Sequence, residues 1–324
     1  MHHAEYIHRC LALAENGRGR TGINPLVGSV LVRDGTVIAE GWHAGFGDDH
    51  AERDLIKKFD QDIRPTDVLY VNLEPCCHHG KTPPCTELIL ERGVRRVVFG
   101  MFDPNPLVAG QGIQRLRDAG VEVIGPVERA RCEWLNRGFI SLMQQRRPWV
   151  TLKRAQMHDG RIAQEDGSPL KITSPEQDTW SHAWLRGKHD AILVGIETII
   201  RDDPQLNVRL KNKKVEQFIP LRIVLDPKCR VPMDAQIIGE GTCIVTAQDS
   251  EVPSELEERG VQVLRIPFDG KQFDFCALWK ALTTPKDDFF GITSVLVEGG
   301  PRTWERFRQA GDIDEDVILV GRAS

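Results

Sequence analysis

The sequence predicts an α/β protein of two domains, and three observations carry that expectation. At 324 residues the chain is longer than one ordinary hydrophobic core serves. Apolar runs of strand length alternate with amphipathic stretches of helical spacing along its whole length. The densest chemistry is confined to the first half, and Arg146-Arg147-Pro148 separates it from a second α/β pattern without that chemistry. The expected domains are therefore 1–146 and 147–324.

Tyr6 to Glu15 opens the chain with helical spacing, Ile7, Leu11 and Ala14 sharing one face. The run Gly17 to Gly22 matches the dinucleotide pattern G-x-G-x-x-G. It follows a helix and leads into a strand, the reverse of the order that holds a pyrophosphate, so it reads as a loop without a cofactor. Val27–Val32 and Val37–Trp42 flank Arg33-Asp34-Gly35-Thr36, a hairpin with a D-G turn. His50 to Phe59 is a helix with Leu55, Ile56 and Phe59 on its apolar side, and Val68–Val71 is a strand. Cys85–Arg92 is a helix stopped by Gly93. Val94–Gly100, Gly112–Ala119 and Val121–Ile124 continue as strand, helix and strand, and Val127–Gln145 is a charged, helix-like connector.

Within this frame His50-Ala51-Glu52 and the stretch Asn72 to Glu87 (NLEPCCHHGKTPPCTE) supply one imidazole and two thiols. A catalytic zinc takes three protein ligands and keeps its fourth position for water. His50, Cys76 and Cys85 fit that ligand set, and Glu52 fits the proton shuttle. Zinc deaminases of bases share the pattern H-x-E followed by P-C and a second Cys. Eight residues, rather than the common two, separate Cys76 from Cys85. His50 and Cys85 both stand at helix starts, where the positive end favours thiolate and hydroxide. Two other readings stay open at this point. One is a closed structural zinc with Cys77, His78 or His79 as fourth ligand; the other is buried thiols without metal. Asn24-Pro25 and Asp103-Pro104-Asn105-Pro106 are each a turn or a pocket wall, and Lys81 is a loop charge or an anion contact.

In the second half Trp149–Ala155, Ala191–Val194, Leu221–Leu225, Cys243–Thr246, Val261–Ile266 and Ser294–Val297 read as strands separated by helices. Glu298-Gly299-Gly300-Pro301 ends a strand and opens a helix, Thr303–Gln309, where bare N–H groups suit a phosphate. Lys153, Thr173, Asp202 and Arg209 stand near element ends, where each taken separately is more often a cap or a surface charge than a ligand contact.

Composition narrows the function classes. A net charge of −5 leaves no basic footprint for nucleic acid or an anionic membrane. No apolar run approaches the ~20 residues of a membrane span. The eight cysteines, met without a signal peptide, argue for reduced thiols and a cytoplasmic protein rather than a disulfide framework. A nucleic-acid base deaminase is the competing enzyme class, and the acidic balance counts against it.

Taken together, the stretches HAE, LEPCCHHGKTPPC, DPNPLVAGQG, LNRGF, HDGRIA, KITSPE, AILVGIETIIRDDPQLNVR and VLVEGGP resemble the bifunctional riboflavin-biosynthesis deaminase–reductases. The resemblance runs from about Tyr6 to the end, and the long Cys76–Cys85 spacing is that family's own. It implies a cytidine-deaminase-like three-layer α/β/α domain followed by a dihydrofolate-reductase-like α/β domain. It also implies zinc and NADPH as cofactors. The implied substrate is a ribosylaminopyrimidine 5′-phosphate, which loses its 2-amino group and then has its ribosyl group reduced to ribityl. By motif match Asn24, His43, His78, Lys81, Asp103 and Asn105 would contact that substrate in the first domain, as would Lys153, Arg186, Arg209 and Glu298 in the second. Thr173, Thr198, Asp202, Gly299 and Gly300 would hold NADPH. A homo-oligomer is the implied assembly.

The chain also departs from the family. Cys77 stands where Ser is usual, and Ile23 replaces a Pro. The last residues, Gly321 to Ser324, fall where members continue through further strands. That last departure sets up an alternative, a working deaminase whose reductase half, with an exposed sheet edge, serves as an assembly or binding module.

Overall fold

The computed structural model describes residues 2–78, 83–106, 108–162, 164, 170–209 and 219–321. They form two compact units. One runs to Arg146 and takes in Pro285–Gly291; the other comprises Arg147–Thr284 and the residues from Ile292 on.

The first unit contains α1 (His3–Ala14), β1 (Gly28–Arg33), β2 (Thr36–Trp42), α2 (Ala51–Lys58), β3 (Val68–Val71), α3 (Cys85–Glu91) and β4 (Arg96–Phe99). It continues through α4 (Gln111–Asp118), β5 (Glu122–Ile124), α5 (Arg129–Leu135) and α6 (Arg137–Gln145). The strands form one sheet in the order β2-β1-β3-β4-β5. β1 is antiparallel to β2 and β3, and β3, β4 and β5 are parallel. Alternation along the strands makes two cores. Val30, Val32, Val68, Tyr70 and Val98 pack on one face with Ile7, Cys10 and Leu13 of α1 and Ile113 of α4. Leu31, Leu69 and Val97 pack on the other with Leu55 and Ile56 of α2, Ile89 of α3 and Leu116 of α4. Helices therefore cover both faces, which is the three-layer arrangement.

Local chemistry sets the connections. Asp34 and Gly35 both have positive φ, as the tight D-G hairpin requires. Gly17 closes a short 3-10 turn, Glu15–Gly17, and the rest of the G-x-G-x-x-G stretch is a loop. The expected single connector is two helices that meet at Asn136, whose side chain is used elsewhere. Pro285–Gly291 joins this unit through a bond from the Ile23 N–H to the Phe290 carbonyl (3.1 Å) and a Phe46–Phe290 stack at 5.0 Å. Nothing in the local sequence signals that assignment.

The second unit contains β6 (Trp149–Met157), α7 (Pro175–Trp180), β7 (Ala191–Gly195), α8 (Ile196–Asp202), β8 (Leu221–Leu225) and β9 (Thr242–Ala247). α9 (Ser254–Glu258), β10 (Gln262–Ile266), α10 (Phe275–Thr283), β11 (Ser294–Val297), α11 (Pro301–Ala310) and β12 (Glu315–Gly321) follow. Its sheet runs β10-β9-β8-β7-β11-β6-β12 with every pairing parallel. Near-continuous apolar strands such as Ala191–Val194 and Ser294–Val297 are buried along their length, as a sheet covered on both faces demands. β12 pairs with β6 over seven residues and, among the described residues, forms the edge of the sheet. Because the strands are parallel, β7 and β11 deliver Gly195 and Glu298 to one edge, the ligand-binding edge of open α/β sheets. No helix among the described residues is long and apolar enough to cross a membrane.

Candidate functional site

In the first unit the ligand set assembles from two helix starts and a strand end. His50 is the N-cap of α2 in extended conformation, and its side chain makes no cap bond, which leaves the imidazole free for the site. Cys76 lies beyond β3, and Cys85 is the first residue of α3. Nδ1 of His50 lies 3.5 Å from Sγ of Cys76 and 3.4 Å from Sγ of Cys85. A tetrahedral zinc with Zn–S of about 2.3 Å and Zn–N of about 2.0–2.1 Å separates N from S by about 3.6 Å, so the donors fit the ion. Among the described residues they are the only such cluster, and Cys77 is not in it.

Electrostatics agree with a metal. Cys76 is held well below the ordinary thiol range, by the Cys85 thiol first and then by His50, while Cys85 is pushed above it by Cys76 and by burial. A cation bound between the two sulfurs favours the thiolate form of both. The Cys85 N–H at the start of α3 also donates to Sγ of Cys76 at 3.3 Å. Glu52, 3% exposed, sits in the first turn of α2 with its carboxyl in hydrogen-bond contact with Cys85.

A cavity of about 200 Å³ opens on this cluster. Asn24, His43, His50, Glu52, Cys76, His78 and Asp103 all line it. The residue expectations for the first domain thus converge, with three qualifications. Asn105 bonds Asp103 through its N–H (2.8 Å) and is not in the wall. Lys81 lies outside the described residues. Both ring nitrogens of His43 are engaged, Nδ1 with the Asp49 carbonyl (2.9 Å) and Nε2 with the Asn24 amide (3.1 Å).

Sequence reasoning missed the residues that hold this wall in place. Asn136 accepts the Leu26 N–H (2.8 Å) and donates to the Leu26 carbonyl (3.0 Å), while Asn72 donates to the same carbonyl and accepts the Gly28 N–H (2.7 Å). Two buried amides therefore clamp the segment behind Asn24-Pro25. Their partners lie far away in sequence, so no local signal marks them.

In the second unit Lys153, Arg186 and Arg209 line a cavity of about 490 Å³ together with Asp178, Thr179, Ser181 and His182. Arg186 forms a two-pronged bond with Glu298 (2.9 and 2.5 Å) and donates to the Asn207 carbonyl. Lys153 and Arg209 remain as the cations facing the space. His182, which the sequence reading did not single out, accepts the Arg209 N–H on Nδ1 at 3.0 Å. Thr173 donates to Asp178 at 2.6 Å. Thr198 and Asp202 lie on α8, and Gly299-Gly300 lie between β11 and α11; none of these lines the cavity. A Cβ on Gly299 would strike Thr303 at 2.5 Å, whereas Gly300 faces open space at the start of α11. Bare backbone there suits close approach of a cofactor phosphate.

Comparison with known proteins finds relatives of both halves. The family model for the RibD C-terminal domain covers residues 148–321, and that for the cytidine and deoxycytidylate deaminase zinc-binding region covers 1–101. The chain is 38% identical over 318 residues to the riboflavin biosynthesis protein RibD of Aquifex aeolicus, covering 97% of this chain and 85% of the relative. It is 36% identical over 327 residues to the protein of that name from Escherichia coli, covering 97% and 86%. Among solved structures, Acinetobacter baumannii RibD superimposes with a TM-score of 0.82 at 34% identity, covering 99% of this chain and 87% of the other. The Thermotoga maritima diaminohydroxyphosphoribosylaminopyrimidine deaminase/5-amino-6-(5-phosphoribosylamino)uracil reductase gives 0.81 at 36%, covering 99% and 86%.

Proposed function

The chain belongs to the RibD family of bifunctional deaminase–reductases of riboflavin biosynthesis, and we propose that it acts on 2,5-diamino-6-ribosylamino-4(3H)-pyrimidinone 5′-phosphate. It removes the 2-amino group by hydrolysis and then reduces the ribosyl group to ribityl. The deaminase is assigned to 1–146 and the reductase to 147–324.

The convergence of His50, Cys76 and Cys85 beside a buried Glu52 carries this reading. Those three residues would hold zinc, which when bound supplies a water acidified to a pKa of about 7. The Glu52 carboxylate takes a proton from the attacking water and delivers it to the departing amino nitrogen, so the pyrimidine gains a carbonyl oxygen and ammonia leaves. Asn24, His78 and Asp103 orient the pyrimidine in the cavity, where the buried Val27 and Leu73 supply its apolar floor.

In the second domain NADPH, when bound, supplies the hydride. Lys153 and Arg209 hold the substrate phosphate as point charge and fork. Arg186, fixed by Glu298 at the end of β11, presents a preorganised polar group to the cavity. Gly299-Gly300 and the start of α11 receive a cofactor phosphate.

The test supplies the diamino substrate and NADPH to the purified protein and follows both ammonia and the nicotinamide absorbance. Ammonia release followed by NADPH oxidation is the expected result, the second depending on the first. Ammonia without oxidation would restrict the protein to deamination, and neither signal would overturn the reading.

A further inference from the structure

Glu74 belongs neither to the ligand set nor to the proton path, yet it is 4% exposed and sits two residues before Cys76. A carboxylate buried this deeply must find donors for its lone pairs. Oε2 accepts the N–H of Asp103 (3.1 Å) and of Gly110 (2.9 Å). Oε1 accepts the N–H of Gly112 (2.9 Å) and of Ile113 (3.2 Å), in the first turn of α4. Its own N–H donates to the Met101 carbonyl at 2.9 Å. One side chain thus fastens the turn that carries Cys76 to both ends of the loop that carries Asp103 and Asn105. Charge-assisted bonds of this kind are about twice as strong as neutral ones, and the positive end of α4 adds to them.

Gly112 gives an independent observation on the same junction. A Cβ there would lie 2.1 Å from the Pro75 carbonyl oxygen and 3.2 Å from Oε1 of Glu74. The helix is seated directly on the residue that precedes Cys76, with no room for a methyl group.

We propose that Glu74 is a positioning residue that couples the sulfur of Cys76 to the cavity wall at Asp103, so that the metal centre and the pyrimidine-facing loop are set as one unit. This rests on the deaminase reading for its substrate. Glu74→Gln is the sharp probe because it keeps the shape. Whichever way the amide turns, its NH2 faces two backbone N–H donors in place of two bonds. Glu74→Asp keeps the charge but is one methylene short, so it should recover part of the function.

The experiment loads the full-length wild type, Glu74→Gln, Glu74→Asp and Gly112→Ala with Co2+ in place of zinc. It records the visible cobalt absorption, the rate of metal release to a chelator, kcat and KM for deamination, and reduction of already deaminated substrate. In Glu74→Gln and Gly112→Ala the cobalt bands should change and metal release should quicken by about tenfold or more. The deamination KM should rise by a similar factor, with reduction within about twofold of wild type. Glu74→Asp should fall between. Unchanged cobalt bands, release rate and KM in Glu74→Gln would overturn the proposal. If that variant loses reduction as well, and so its fold, unchanged bands and release in Gly112→Ala would overturn it instead. If the wild type itself does not deaminate, the functional reading fails, while the cobalt spectra and release rates still decide the role of Glu74.

Discussion

The side-chain amide of Asn24 donates to Nε2 of His43 at 3.1 Å, and the opposite ring nitrogen of His43 meets the Asp49 carbonyl at 2.9 Å. A carbonyl oxygen only accepts, so Nδ1 carries the proton and Nε2 is the acceptor. The ring is neutral in this arrangement, in keeping with burial, which pushes its pKa down. His43 therefore fixes which edge of Asn24 looks into the cavity. His43→Ala should raise the deamination KM by about tenfold, the value of one well-made hydrogen bond, and leave the zinc content unchanged. Steady-state kinetics beside metal analysis make the check; an unchanged KM would mean that Asn24 is oriented by its backbone alone.

Glu52 is the buried carboxyl beside the ligand set, and general acid–base catalysis contributes about 10²–10⁴-fold. Glu52→Gln should lower kcat for deamination by at least about 10²-fold. Zinc should stay bound, because Glu52 lies outside the ligand cluster. Reduction of already deaminated substrate should continue. Ammonia release near the wild-type rate in the zinc-loaded variant would remove Glu52 from the proton path.

How much of this was legible in the sequence depends on where each residue finds its partners. His50 and Glu52 share one helical turn, and Cys85 opens a helix after two prolines, so their roles follow from local spacing. The continuous apolar runs Val30-Leu31-Val32 and Val68-Leu69-Tyr70 likewise fit a sheet covered on both faces. Glu74, Asn72 and Asn136 were opaque for the opposite reason. The donors to Glu74 lie 29 to 39 positions away and Asn136 reaches back 110, so nothing nearby distinguishes them from surface polar residues. The resemblance marks Arg186 and Glu298 as ligand contacts, but their spacing of 112 hides that they also bind each other. The place of Phe290 in the first unit was invisible in the same way.

Gly299 separates β11 from α11 in close quarters. A Cβ at this position would lie 2.5 Å from Cβ and 2.6 Å from Oγ1 of Thr303, which is itself buried. Gly299→Ala must therefore push the first turn of α11 outward, at a cost of about 1–3 kcal/mol. NADPH affinity should fall by about tenfold or more if that turn receives the cofactor phosphate. Gly300→Ala, which meets nothing within 4 Å in the protein, should leave stability unchanged and weaken NADPH binding only. Thermal unfolding and nicotinamide fluorescence titration separate the two effects. Equal NADPH affinity in both variants and the wild type would move the cofactor away from this turn.

The Arg186–Glu298 pair should leave its mark on the acid limb of stability. Burial alone pushes the Glu298 carboxyl up, but the Arg186 guanidinium, then Lys153 and His182, outweigh it and hold the carboxyl below the ordinary glutamate range. Arg186 is shifted the other way: burial lowers it, and Glu298 more than restores it. A carboxyl depressed in the folded state contributes stability that is complete above its unfolded pKa of about 4.3 and fades as pH falls through the folded value. Glu298→Gln should cost about 3 kcal/mol at neutral pH, because it strands a buried guanidinium whose side chain is only 14% exposed. The difference between wild type and variant should stay constant from about pH 6 to 8 and shrink below about pH 4, as the wild-type carboxyl also takes a proton. Denaturant unfolding of the second domain across that range supplies the curve. A difference that grew on acidification would mean that the folded carboxyl is raised rather than depressed, and that Arg186 is neutralised by another group.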